Sequence, residues 1–198
     1  MAGGDSLGTN DLPVFGANPT LINRGGQNLS FGSSTEDAGY GSRYQYPNYG
    51  TQISMSFNVY VDSYTNLNND PGAIFMTYAN GGSTVADTEL RLNNDGTIVI
   101  SVGDDRVTSA STLALTSLIT ISVTLDYING TYTCYVDGTE YCQITGGSTN
   151  LDADPANLSL WPISLKYGRM NVNGGINKFR VFNKLLTTNE IQTLVDNK

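Results

Sequence analysis

Two stretches alternate apolar and polar residues with a period of two, and that period commits them to sheet. From Thr51 to Val61, Ile53, Met55, Phe57, Val59 and Val61 fall on one side, and Gln52, Ser54, Ser56, Asn58 and Tyr60 on the other. From Leu118 to Tyr127, Ile119, Ile121, Val123, Leu125 and Tyr127 alternate with Thr120, Ser122, Thr124 and Asp126. Successive side chains of a strand point to opposite faces, so each stretch reads as a half-buried strand with one face on the core. Tight turns punctuate the rest. Asp137-Gly138 accepts positive φ cheaply and folds Thr131 to Ile144 into a hairpin. Asn94-Asp95-Gly96 joins Thr88 to Leu92 with Thr97 to Val102. Ala73 to Ala79 reads as a further strand. Residues 157 to 167 hold another, interrupted at Trp161-Pro162, where the missing amide hydrogen demands an edge, a bulge or a bend.

With 12 Tyr, 22 Gly and many Thr, Val and Ile in 198 residues, the chain has the composition of a single all-β domain. About eleven strands fit a two-sheet antiparallel jelly-roll sandwich. The C-terminus differs. Thr187 followed three residues later by Glu190 is a capping-box pattern, and Ile191, Leu194 and Val195 have helical spacing, which predicts a short closing helix. The domain is expected over residues 28 to 198. Residues 1 to 27, rich in Gly, Asn and Pro, read as an irregular N-terminal arm or lead-in.

The net charge of −8 and a sequence pI of about 4.3 repel phosphate backbones, and no Lys/Arg cluster offsets this, so nucleic acid is not an expected partner. No stretch approaches the ~20 apolar residues of a membrane span. The first ten residues have neither a basic start nor an apolar core and do not read as a secretory signal. An extracellular-facing protein without that signal is explained by a virion surface, whose parts assemble in the cytoplasm and act after lysis. Cys134 and Cys142 flank the Asp137-Gly138 turn. With a two-residue loop Cys134 faces Tyr141 and the thiols point to opposite faces. A one-residue register change places Cys134 opposite Cys142, so a free packed pair and a disulfide both stay open.

The order of these features resembles the concanavalin A-like lectin/glucanase superfamily, in particular its laminin-G-like jelly-roll domains. The resemblance rests on an early strand ending in Phe31-Gly32, the strand at 51 to 61, the Leu90 to Val102 hairpin and the Tyr135-Val136-Asp137-Gly138 turn. It closes with the run through Phe182 to Leu194. The chain departs from the pattern at Thr116-Ser117-Leu118, where an aromatic and a His are usual. The resemblance implies a module that binds glycans, proteins or lipids, in some members with calcium at one rim. It also implies that a hydrolytic member would carry Glu-x-Asp-x-Glu on one strand, two carboxylates about 5 to 5.5 Å apart. Here the glutamates are Glu36, Glu89, Glu140 and Glu190, and none has another acid two residues away. The absence of His excludes Ser/His/Asp and Cys/His nucleophile systems. The expectation is a protein that is not an enzyme.

Ligand-binding candidates concentrate in Gly39 to Gly50, where Tyr40, Tyr44, Tyr46 and Tyr49 lie in Gly- and Pro-broken chain with Arg43 and Asn48. Tyrosine presents a flat apolar face with a polar tip, which suits stacking on a sugar ring. The same rings could instead cover the sandwich edge or fill a subunit interface. Trp161 is a further candidate platform or core filler. Asp104-Asp105 and the Asp152, Asp154 pair fall in expected loops and are candidate calcium ligands or solvated turns. The leading function is a non-catalytic, lectin-like surface-recognition module whose partner is a glycan or cell-surface polysaccharide. The alternative is an accessory protein of a phage or other virion, holding virion proteins through the N-terminal arm, with homo-oligomers expected. A polysaccharide hydrolase ranks third.

Overall fold

The computed structural model describes residues 51–64, 88–149 and 173–198, together with the strand backbone at 3–4, 11–12, 14–15, 20–24, 27–31, 39–40, 72–80 and 158–162. The strands are β1 (Gly3–Gly4), β2 (Asp11–Leu12), β3 (Val14–Phe15), β4 (Thr20–Arg24), β5 (Gln27–Phe31), β6 (Gly39–Tyr40), β7 (Gln52–Ser63) and β8 (Gly72–Asn80). They continue with β9 (Thr88–Asn93), β10 (Thr97–Val102), β11 (Asp105–Thr112), β12 (Leu118–Asp126), β13 (Thr131–Val136), β14 (Thr139–Ile144), β15 (Leu158–Pro162) and β16 (Asn173–Phe182), and helix α1 (Thr188–Asp196) follows. A 5-stranded sheet runs β11-β10-β9-β8-β15 and a 7-stranded sheet runs β14-β13-β12-β7-β16-β5-β4. Their recorded pairings are antiparallel. Two small ribbons, β1 with β2 and β3 with β6, lie N-terminal to β7.

The two alternating stretches are neighbours at the heart of the larger sheet. Phe57 stands opposite Ile121, Met55 opposite Val123 and Ile53 opposite Leu125. Their inner face packs on Leu90 and Leu92 of β9 and Ile98, Ile100 and Val102 of β10, forming one core. The half-buried reading needs correcting here. Ser54, Ser56 and Asn58 of β7 and Thr120, Ser122 and Thr124 of β12 are buried as well. Polar groups survive burial when they find partners, and several of these do, although the buried Asn58 Nδ2 has none among the described residues. Ser122 donates to Ser56 at 3.0 Å and Thr120 to the Asn58 Oδ1 at 3.0 Å. Where the chain leaves β16 it crosses Ser54, whose hydroxyl donates to the Lys184 carbonyl at 2.8 Å and accepts from the Leu186 amide at 2.9 Å. That return path closes one part of the polar face.

Sequence and structure also differ at two edges. Strand β11, whose first residue is Asp105, forms the edge of the smaller sheet, so Asp105 is not loop. Strand β4 pairs with β5 at the edge of the larger one, so part of the segment read as an arm is strand. Trp161 and Pro162 end β15 on the outer edge beside β8, where a strand can lack an amide hydrogen.

Helix α1 begins as the capping box requires. Thr187 is the N-cap, its hydroxyl accepts from the Glu190 amide at 3.3 Å, and the Glu190 carboxylate accepts from the Thr187 amide at 2.9 Å. Ile191 is buried beneath it. Helix and hairpin tip meet at Gly138, where a Cβ would fall 2.5 Å from the Gln192 Oε1, and Lys198 bonds Asp137 at 2.8 Å. The tip has the two positive φ angles of a type I′ turn, 47° at Asp137 and 80° at Gly138.

Candidate functional site

Antiparallel connectivity brings several segments to one end of the sandwich: the start of β7, the Gly103-Asp104 turn, residues 127–130 and residues 145–149. Asp126 organises the first of the loops. Its Oδ1 accepts from the amides of Ile128 at 3.0 Å and Asn129 at 3.1 Å, and from the Gln52 side chain at 3.3 Å, while Oδ2 accepts from Asn129 Nδ2 at 2.7 Å. Burial raises the Asp126 pKa, but these donors outweigh it and hold the carboxyl below its ordinary value. The turn thrusts Ile128 outward, 59% exposed.

The second loop is welded to the first. Gly147 donates to the Gly130 carbonyl at 3.0 Å, and Asp105 Oδ2 accepts from the Ser148 amide at 2.8 Å. The buried Tyr132 hydroxyl donates to the Ser148 carbonyl. Burial, followed by the Asp126 and Asp105 carboxylates, pushes this phenol up to about 12, so it remains a donor at neutral pH. Gly103 completes the cluster, with an added Cβ 4.0 Å from that of Ser148. The Tyr127 amide donates to the Thr51 carbonyl at 2.9 Å, fixing the point where the chain enters β7.

This geometry sorts the candidates. Asp105 tethers the 145–149 loop through one of its oxygens, and Asp104 is exposed in the neighbouring turn. No group of three or more carboxylate, thiol or imidazole side chains converges among the described residues. Asp152 and Asp154 lie outside the described residues, as do Arg43, Tyr44, Tyr46, Asn48 and Tyr49. Tyr40 lies on β6 and Trp161 on β15 by backbone position, and their side chains are likewise outside the description. Sequence reasoning passed over Ile128, Asn129 and Ser148. The signal was present in Asp126-x-x-Asn129-Gly130, an Asp two and three residues ahead of the amides it binds, the pattern of a side-chain-capped turn.

A laminin-G-type family model, described as the concanavalin A-like lectin/glucanases superfamily, matches residues 23–192. The chain belongs to this superfamily. As a concanavalin A-like domain it shares its fold with distant solved structures. It is similar to Trypanosoma rangeli sialidase, with a TM-score of 0.58 at 14% identity over 73% of this chain and 23% of that one. It is also similar to the heptameric SAP-like pentraxin of Limulus polyphemus, with a TM-score of 0.53 at 13% identity over 73% of this chain and 70% of the other. A third likeness is to a botulinum neurotoxin type C structure, from a toxin whose cell entry depends on interaction with two ganglioside molecules. Its TM-score is 0.53 at 15% identity, over 76% of this chain and 36% of that one. The concanavalin A-like chain thus spans under half of the sialidase and toxin chains, and at these identities the likeness shows the fold alone. None of the curated proteins matches it in sequence.

Proposed function

We propose that this concanavalin A-like domain is a non-catalytic, extracellular-facing glycan-recognition module, and that it binds at the rim formed by residues 51, 103–104, 127–130 and 145–149. The observation that carries the reading is the hydrogen-bonded rim itself, with Ile128 held out by the Asp126 turn; in the sequence the Tyr40 to Tyr49 segment runs directly before Thr51. A rigid rim loses little entropy on binding. An exposed aliphatic group and tyrosines meet the apolar faces of sugar rings, while Asn129 and Asp104 supply hydrogen-bonding groups. The ganglioside interaction of the toxin and the sialic-acid chemistry of the sialidase support carbohydrate as the ligand class. The lack of His and of closely spaced acid pairs at the glutamates argues against hydrolysis.

The test is a glycan array with the full chain, with and without calcium, beside Tyr44→Ala/Tyr46→Ala and Ile128→Ser variants checked for intact folding. Binding by the wild type that both variants lose is the expected result. Silence across the array, or binding that neither variant weakens, would overturn the rim assignment. Release of reducing sugar from any polysaccharide in a parallel assay would overturn the non-catalytic reading.

A further inference from the structure

The β13–β14 hairpin contains a feature that glycan binding does not use. Its two-residue turn pairs Val136 with Thr139 and Tyr135 with Glu140, and an uninterrupted ladder would then set Cys134 against Tyr141. A bulge intervenes. Tyr141 becomes the extra residue, and Cys134 stands directly opposite Cys142, with Thr133 opposite Gln143 and Tyr132 opposite Ile144. The pairing extends to side chains, since Gln143 Nε2 donates to the Thr133 hydroxyl at 2.9 Å on the other face. Both thiols are free and both belong to the core. Directly opposed residues of an antiparallel pair have Cα atoms about 4.5 to 5.5 Å apart, inside the roughly 4.4 to 6.8 Å range that a disulfide spans. A bulge spent on aligning two cysteines is a specific arrangement.

We propose that Cys134 and Cys142 are a reversible dithiol–disulfide couple, oxidised by a low-molecular-weight disulfide of the glutathione type. Cys142 is the entering thiol, because it lies on the edge strand of the larger sheet and is 8% exposed, against 0% for Cys134. Its thiolate attacks one sulfur of the external disulfide, forming a mixed disulfide and expelling one thiolate. Cys134 then loses its proton and attacks the Cys142 sulfur, which closes the cross-strand bond and expels the second thiolate. The pair gives up two electrons and two protons, and the external disulfide becomes two thiols. The electrostatics agree with this division. The hydrogen bond from Cys134 holds the Cys142 pKa below its ordinary value against the effect of burial, while the same bond and full burial raise that of Cys134. Closure would lock a hairpin whose tip carries α1 and whose far end leads into the 145–149 rim loop.

The experiment incubates the full-length protein with oxidised glutathione and follows intact mass, thiol titration and thermal unfolding. The wild type is expected to lose two hydrogens and both thiols together, to regain them with dithiothreitol, and to unfold roughly 5 °C higher when oxidised. Cys134→Ser is expected to stop at one glutathione adduct on Cys142, and Cys142→Ser not to react while folded. Persistent thiols in the wild type, or an adduct that never resolves into the internal bond, would overturn the proposal. The wild-type mass alone suffices if a variant does not fold.

Discussion

At Gly130 the backbone has a φ of 63°, and an added Cβ would lie 2.3 Å from the Gly147 carbonyl oxygen. The neighbour is main chain that itself accepts no rearrangement cheaply, because Gly147 donates back to the Gly130 carbonyl. Gly130→Ala should therefore destabilise the fold by about 2 kcal/mol or more, the cost of a left-handed residue plus the clash. Urea denaturation checks this, and an unchanged midpoint would show that the two loops are not in contact. The same variant should weaken any glycan bound at the rim while leaving α1 intact. Asp126 and Asp105 act at this scale too, each using its carboxylate oxygens to accept from backbone amides of a loop. Such residues look like ordinary surface acids in a sequence. Their roles depend on which loops come together in space.

Helix α1 shows what one element owes to its first turn. The Lys184 ammonium, then the Thr187 amide and hydroxyl, lower the Glu190 pKa from an ordinary 4.5 to about 2. A depressed carboxyl stabilises the fold fully above its unfolded value and loses that contribution as pH falls through the folded one. The stability advantage of wild type over Glu190→Gln should thus be constant above pH 4.5 and shrink towards zero near pH 2, as read by chemical denaturation at stepped pH. An advantage that stays constant across that window would show that the cap does not use the charge. This helix was legible in the sequence because its signals are local, as was the Asp137-Gly138 turn. Strand β11 was not legible. Of its eight residues only Ser109 is buried, because an edge strand on a narrow sheet has little apolar periodicity to display. The bulge at Cys134 was legible only as an alternative register, since the turn alone fixes the uninterrupted ladder and packing decides against it.

For the molecule as a whole, the net charge of −8 bears on which sugars it meets. Anionic glycans approach against that field, and salt screens it over about 8 to 10 Å. Binding to a sialylated or sulfated ligand should therefore strengthen as ionic strength rises, and binding to a neutral one should barely change. Titration calorimetry at two salt concentrations reads the difference, and an anionic ligand weakened by salt would reveal a local positive patch. The two-sided burial of β7 and β12 has another consequence, in how the chain finds its fold. The strands meet across a sequence separation of about sixty residues, with hydrocarbon pairs on one surface and hydroxyl or amide pairs on the other. A slip of one residue during collapse would drive serines into the oil and expose isoleucines to the polar side, an error paid twice over. Misaligned encounters should dissolve quickly, so that the central pair proofreads its own alignment before the outer strands add to it.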